Sequence, residues 1–370
     1  MLEIRIPKDI AKTPKAMELI LINAIHQTGK VGTWFDRYWL GRVLSWFSLE
    51  IVSLGGELHF FIRTPDFFKR LLESQIYAQY PTAEVVPMDN DYTELVPQFS
   101  KKTKEQWSMW GTEFKFTKDD PYPIKTYIDY GLDKSVKLEE QGSQIDPITP
   151  MLEMMGSLKK GEQMWFQILV RAQDAGKVQS KHYPVAGHWF AVEKFDDIKK
   201  KAIAEVLKKA SKKLETEDED DAKTNLTKGE TNVIAAIERK AGQTLFDVGM
   251  RFIYIAEKDA FDPNMIAGLT SVVKQYSSQD MNGFRPQKPT AVDIEMIDDP
   301  FGGKTIDKKK GMYNAYRLRS YFYKPYNRDA MVMSAEELAT IYHFPNRATS
   351  TPSFARIDSK QAEPPQNLPI

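Results

Sequence analysis

Residues His59–Pro81 read HFFIRTPDFFKRLLESQIYAQYP, an apolar run that meets Thr-Pro-Asp and continues as a long amphipathic stretch. Upstream of the junction Leu58, Phe60 and Ile62 alternate with His59, Phe61 and Arg63, the period of two that marks a strand. Thr64 offers a hydroxyl to the free amides of a helix start, and Pro65 suits the first helical position, where a missing N–H costs nothing. Asp66 places negative charge at the positive end of the helix dipole. Phe67, Leu71, Leu72, Ile76 and Tyr80 then recur at spacings of three to five, and Pro81 stops the helix. A short strand, 84–88, follows.

The same device returns elsewhere. Residues 2–6 (LEIRI) alternate as a strand, and Thr13-Pro14 opens a helix with Met17, Ile20, Leu21, Ala24 and Ile25 on one face. Residues 48–63 give two strands around Gly55-Gly56, a hairpin signal. The order β-α-β-β-α-β predicts a ferredoxin-like, split βαβ module over residues 1–95. A second α+β module is expected over 146–297. It holds a strand at MWFQILVRA (Met164–Ala172), helices near 195–214 and 230–241, and one long strand or a hairpin at LFDVGMRFIYIAE (Leu245–Glu257). A helix follows Asp262-Pro263. Strand–cap–proline–helix thus occurs three times, which makes the junction architectural rather than catalytic. Residues 96–145 are expected as a β-rich connector, leading to a short helix after Asp146-Pro147. The predicted class is α+β, two ferredoxin-like modules with antiparallel sheets packed by helices.

The second module carries a charged helical insertion at about 194–230. Lys194–Leu214 has eight lysines against three acids, and Glu215–Asp221 has six acids in seven positions, blocks that read as solvated. Residues 298–370 are expected as a strand, a short helix and a proline-rich linker. Within them FGGKTIDKKKG reads as a basic loop, and Ser334 with Glu337 forms a capping box.

The totals narrow the function classes. The 370 residues carry 51 basic and 51 acidic side chains, against a generally DNA-coating protein. Without cysteine there is no disulfide, thiolate nucleophile or cysteine zinc site. No run approaches the ~20 apolar residues of a membrane helix, so a cytoplasmic protein is expected, reaching the inner face of a membrane only through partners. Neither G-x-x-x-x-G-K-[ST] nor G-x-G-x-x-G occurs, and FGGKT lacks the first glycine of a phosphate loop. The spacing of His182 and His188 matches no zinc pattern. No catalytic, cofactor-binding or metal-binding residue is assigned.

One segment has the composition of a binding surface. Tyr316, Arg317, Arg319, Tyr321, Phe322, Tyr323, Lys324, Tyr326 and Arg328 interleave stacking rings with phosphate-pairing groups, preceded by Lys308, Lys309 and Lys310, as single-stranded nucleic acid requires. The competing and preferred reading is a half-buried strand with its aromatics in a core. Trp34, Trp39 and Trp46, in an aromatic connector, are candidate partner contacts, with packing inside the first module as the equal alternative.

FSLEIVSLGGELHFFIRTPDFF with QIYAQYPTAEV, DPITPMLEMMGSLKKGEQMWFQILVRA, and MSAEELATIYHFPNRATSTPSFARIDSKQAEPPQNLP resemble the N-terminal, non-motor region of TraG/HerA-like ATPases of conjugation and type IV secretion. The resemblance spans nearly the whole chain. It implies a scaffold that docks or oligomerises a motor, with the Walker-containing motor expected beyond Ile370. Its partners would be that motor and other secretion-complex proteins, with single-stranded DNA and a second copy of the chain as further candidates. A single-strand-binding protein using 308–328 and an enzyme of unrecognised type are the alternatives.

Overall fold

The computed structural model describes residues 1–7, 12–26, 44–96, 106–133, 145–173, 177–179, 192–214, 226–287, 290 and 303–345. Its centre is one antiparallel sheet of nine strands with helices packed on it. The first half runs β1 (Leu2–Arg5), α1 (Lys15–Ile20, continued by a π turn, Leu21–Ile25), β2 (Trp46–Leu54), β3 (Glu57–Arg63), α2 (Asp66–Gln79) and β4 (Glu84–Pro87). Its strands lie in the order β4-β1-β3-β2, all antiparallel. The β2–β3 loop is Gly55-Gly56, with φ of 63° and 97°, the left-handed backbone that a two-residue hairpin of this hand demands.

The second half repeats that path with β5 (Trp107–Phe116), α3 (Thr149–Gly156), β6 (Glu162–Ala172), β9 (Leu245–Glu257), α6 (Asn264–Val272) and β10 (Phe284–Pro286). Its order is β10-β5-β9-β6, again antiparallel. Residues 107–116, expected in a connector, are therefore a ladder strand inside the sheet. Between β6 and β9 come a small hairpin, β7 (Lys177–Gln179) with β8 (Val192–Lys194), and the helices α4 (Phe195–Leu214) and α5 (Lys228–Ala241) of the charged insertion. The halves join edge to edge. β2 and β6 pair antiparallel from Trp46↔Arg171 to Leu54↔Gln163, so the sheet continues across the seam.

Both faces are covered, which explains why β2, β6 and β9 are buried along almost their whole length. On one face Leu49, Ile51, Phe60, Ile62, Phe166, Ile168, Phe252 and Tyr254 meet the helices. On the other, Val52, Phe61, Trp165, Ile253 and Ile255 meet Tyr92, Val96 and the aromatic face of α7 (Gly303–Arg317). The chain then adds β11 (Met331–Ser334), paired with the start of β9, and the fully buried α8 (Ala335–Ile341). Ser334 and Glu337 form the expected capping box there.

Two local expectations need correction. Gly303–Arg317 is helix where a basic loop and the start of a strand were expected. Met312, Tyr313, Ala315 and Tyr316 share one buried face, and the aromatic enrichment that suggested a strand is serving a helix. Thr64 does not cap α2. Its hydroxyl donates to Pro65 O at 3.2 Å, and Pro65 stands before the first helical residue with ψ of 144°. Asp262 does cap, accepting from the amide of Asn264 at 2.9 Å.

Candidate functional site

A polar residue stands in the middle of each of four adjacent strands, and the register lines them up across the seam. Glu50 on β2 faces Gln167 on β6, Gln167 faces Arg251 on β9, and Arg251 faces Glu113 on β5. All four are buried, and Glu50, Gln167 and Arg251 are fully so. Buried polar groups are tolerated only where hydrogen bonds replace water. Several of the partners come from the end of α7 and the stretch that follows it.

That helix ends in a Schellman motif: Ser320 N–H donates to Ala315 O and Arg319 N–H to Tyr316 O. The left-handed position, which glycine usually takes, is Arg319, with φ of 49°. A side chain there costs about 1–2 kcal/mol, and ion pairs offset it. The guanidinium grips Glu50 with two bonds, Nε to Oε1 at 3.0 Å and Nη2 to Oε2 at 3.1 Å, and also pairs with Asp91. Tyr92 donates to Glu50 Oε2 at 2.7 Å, and the Tyr316 hydroxyl lies 2.8 Å from that of Tyr92. Since Tyr92 gives its proton to the carboxylate, Tyr316 is the donor to Tyr92. Gln167 Nε2 donates to Glu50 Oε1 at 2.9 Å and to Tyr316 O at 3.1 Å.

Further along, Arg251 Nη2 donates to Ser320 O and its guanidinium lies 5.1 Å from the Tyr321 ring. Glu113 sits 3.5 Å from Arg251 and 3.4 Å from Arg328. Arg171, paired with Asp247 at 2.8 Å, stacks under Phe322 at 4.5 Å. The Trp46 indole donates to Arg319 O at 2.7 Å and its ring lies 5.7 Å from Tyr323. The segment 316–328 is a clasp laid across the seam.

The electrostatics follow the contacts. Burial by itself would raise the Glu50 carboxyl, but the Arg319 charge and the hydrogen bonds from Arg319, Ser48 and Tyr92 hold it below the usual carboxylate value. Asp91 is held down in the same way, against its burial, by Arg319 and Thr93. Burial pushes Tyr92 and Tyr316 well up, and the Glu50 charge adds to it. Desolvation lowers Arg251, which Glu113 partly counters.

The structure thus brings Tyr316, Arg319, Tyr321, Tyr323 and Arg328 onto the sheet, where Tyr316, Arg319 and Tyr321 are buried. Arg317 remains exposed, 3.8 Å from Glu94. Lys308 and Lys310 are exposed on α7 and Lys309 is half-buried. Trp34 and Trp39 lie outside the described residues, as do His182 and His188. Among the described residues no group of three or more His, Asp or Glu side chains is placed to hold a metal. Sequence reasoning missed Glu50, Asp91, Tyr92, Gln167, Arg251 and Glu113. The signal was present, because SLEIVSL, MWFQILV and GMRFIYI each set one charged or amide side chain inside a largely apolar run.

Gly249 on β9 makes the clasp possible. A Cβ there would lie 2.6 Å from carbons of the Tyr321 ring, which is itself buried and has nowhere to go. Gly249→Ala is expected to cost about 1–3 kcal/mol and to loosen the clasp, read as a lower urea midpoint with a changed near-ultraviolet circular dichroism spectrum.

A family model described as a domain of unknown function, DUF8128, matches residues 2–356. The chain belongs to this family. The DUF8128 match runs from β1 to beyond α8, so both halves, the insertion and the clasp fall within one family unit. No curated protein matches the chain.

Proposed function

We propose that this chain is a non-catalytic scaffold module of a conjugative DNA-transfer or type IV secretion-like ATPase, one that docks or oligomerises a motor bearing the Walker motifs. The observation that carries this reading is the clasp. Arg319, Tyr316 and Tyr321, among the residues best suited to gripping a ligand, are turned inward and hold two halves of a sheet together. Each half is read as a ferredoxin-like module, supported by the order β4-β1-β3-β2 and its counterpart β10-β5-β9-β6. On this reading the second module begins at β5 and carries α4 and α5 as an insertion. Motor, other secretion-complex proteins and a second copy of the chain are its partners, and membrane contact comes through them. No helix among the described residues is long and apolar enough to cross a membrane.

The test is to purify the tagged chain, alone and co-expressed with a Walker-containing motor from the same genome. The motor is expected to co-purify and to change in oligomeric size, while the chain alone leaves ATP intact. ATP hydrolysis by the chain alone, or a motor that ignores it, would overturn the reading.

A second reading, single-stranded nucleic-acid binding, is favoured by the exposed Lys304, Lys308, Lys310 and Arg317 on α7. It requires salt-dependent binding of labelled oligo(dT) that weakens when these four residues are changed to glutamate.

A further inference from the structure

At the edge of the clasp a cleft of about 350 Å3 opens between the seam and the start of α2, lined among others by Ser45, Trp46, Arg63, Thr64, Pro65 and Leu318. Its lining is mixed, with Trp46, Pro65 and Leu318 as the apolar part and Ser45, Ser48, Arg63, Thr64 and Arg319 as the polar part. Leu318 is 58% exposed although it is a large hydrophobic, and Phe67, on the first turn of α2, is 73% exposed. The one polar atom of the Trp46 indole is already bonded to Arg319 O, so the ring offers only carbon surface. Arg63 is opposite Ser48 in the β2–β3 register, and its guanidinium makes no hydrogen bond or ion pair among the described residues. It differs in this from Arg319, whose guanidinium is filled by Glu50, Asp91 and Arg317 O.

We propose that this cleft docks an acidic peptide segment of a protein partner, with an apolar side chain against Trp46, Pro65 and Leu318 and a carboxylate on Arg63. The proposal rests on the scaffold reading and names the chemistry of what the scaffold holds. Burial, and then the like charge of Arg319, push the Arg63 guanidinium down. Glu50, Asp91 and Asp66 act on it only at a distance. A carboxylate placed on Arg63 supplies the missing partner and offsets both effects, and the apolar part of the lining, Trp46, Pro65 and Leu318, favours a carboxylate carried beside a hydrophobic side chain. Arg63 is exposed, so the pair by itself falls in the range of surface ion pairs, and its weight here is specificity for an acidic segment.

The probe is Ac-Glu-Leu-Phe-Glu-amide, with the Gln and Lys versions of both outer positions as controls, titrated into the full 15N-labelled chain. The readout is the Trp46 indole N–H resonance, assigned with Trp46→Phe. The acidic peptide is expected to bind about fivefold more tightly than the Gln peptide, and Arg63→Gln to remove that difference while leaving the Gln peptide's affinity unchanged. Arg63 is exposed, so the variant keeps its amide spectrum. Equal affinity for acidic and Gln peptides, an unmoved Trp46 resonance, or displacement of that resonance by oligo(dT) instead would overturn the proposal. If a motor is captured but the acidic peptide leaves Trp46 unmoved, the cleft assignment falls and the scaffold reading stands. If the peptide binds as described and no motor is captured, the cleft assignment stands and the scaffold reading falls.

Discussion

Arg319→Met is expected to destabilise the chain by about 3–5 kcal/mol, the cost of leaving a buried carboxylate without its counter-ion. Glu50 is fully buried and would keep only the bonds from Ser48, Tyr92 and Gln167. The loss should depend on pH. In the intact protein the folded-state value of Glu50 is depressed, so its contribution is present above the ordinary carboxylate range and is lost as pH falls through the folded value. In the variant, burial is opposed only by the bonds from Ser48, Tyr92 and Gln167 and no longer by a counter-ion, which favours the neutral acid, so acidification reduces the penalty. Urea midpoints measured from pH 7 down to pH 3 should therefore show the gap between the two proteins closing as pH falls. A gap independent of pH would mean that Arg319 acts through packing. Glu50→Gln in the Arg319→Met background should restore part of the loss, because an amide can stay buried without a counter-ion.

Lys240→Met should have an effect of the same size, about 3–5 kcal/mol, at the other side of the molecule. Lys240 on α5 and Glu337 on α8 are both almost completely buried and lie 3.0 Å apart. The Glu337 carboxylate also accepts from Ile124 N at 2.9 Å and Ser334 N at 2.8 Å, and the ammonium sits 5.0 Å from the Phe116 ring. This pair ties the charged insertion to the sheet. Removing the cation leaves the anion among backbone amides in a closed site, whereas Lys240→Arg, if it fits, keeps the charge. The measure is the urea midpoint followed by tryptophan fluorescence, with the loss absent from exposed controls such as Lys208→Met. A cost below about 1 kcal/mol, the range of exposed pairs, would contradict the burial assigned to it.

The elements were legible where the local rules agree. Gly55-Gly56 between alternating strands gave the hairpin, Asp262 capped its helix, and LFDVGMRFIYIAE formed a single 13-residue strand. What could not be read was the pairing between distant segments. The β2–β6 seam joins residues more than 100 positions apart, and neither strand carries a mark of its partner. For the same reason WSMWGTEFKF was expected in a connector, since its alternation is equally that of a peripheral hairpin. The segment Tyr313–Arg328 misled because composition reports which side chains are present and not which way they turn. Its rings and guanidiniums are what a nucleic-acid surface needs, and also what a charged row of strands needs to be covered.

Native-state hydrogen exchange of the amides of Trp46–Leu54 and Gln163–Arg171 tests the central claim most directly, that the clasp welds two halves into one cooperative body. These amides are predicted to exchange only through global unfolding in the intact chain, at the same free energy as the interior of β3 and β9, and through a cheaper opening in Arg319→Met. Seam amides that exchange at a lower free energy than both halves in the intact chain, unaffected by Arg319→Met, would contradict it.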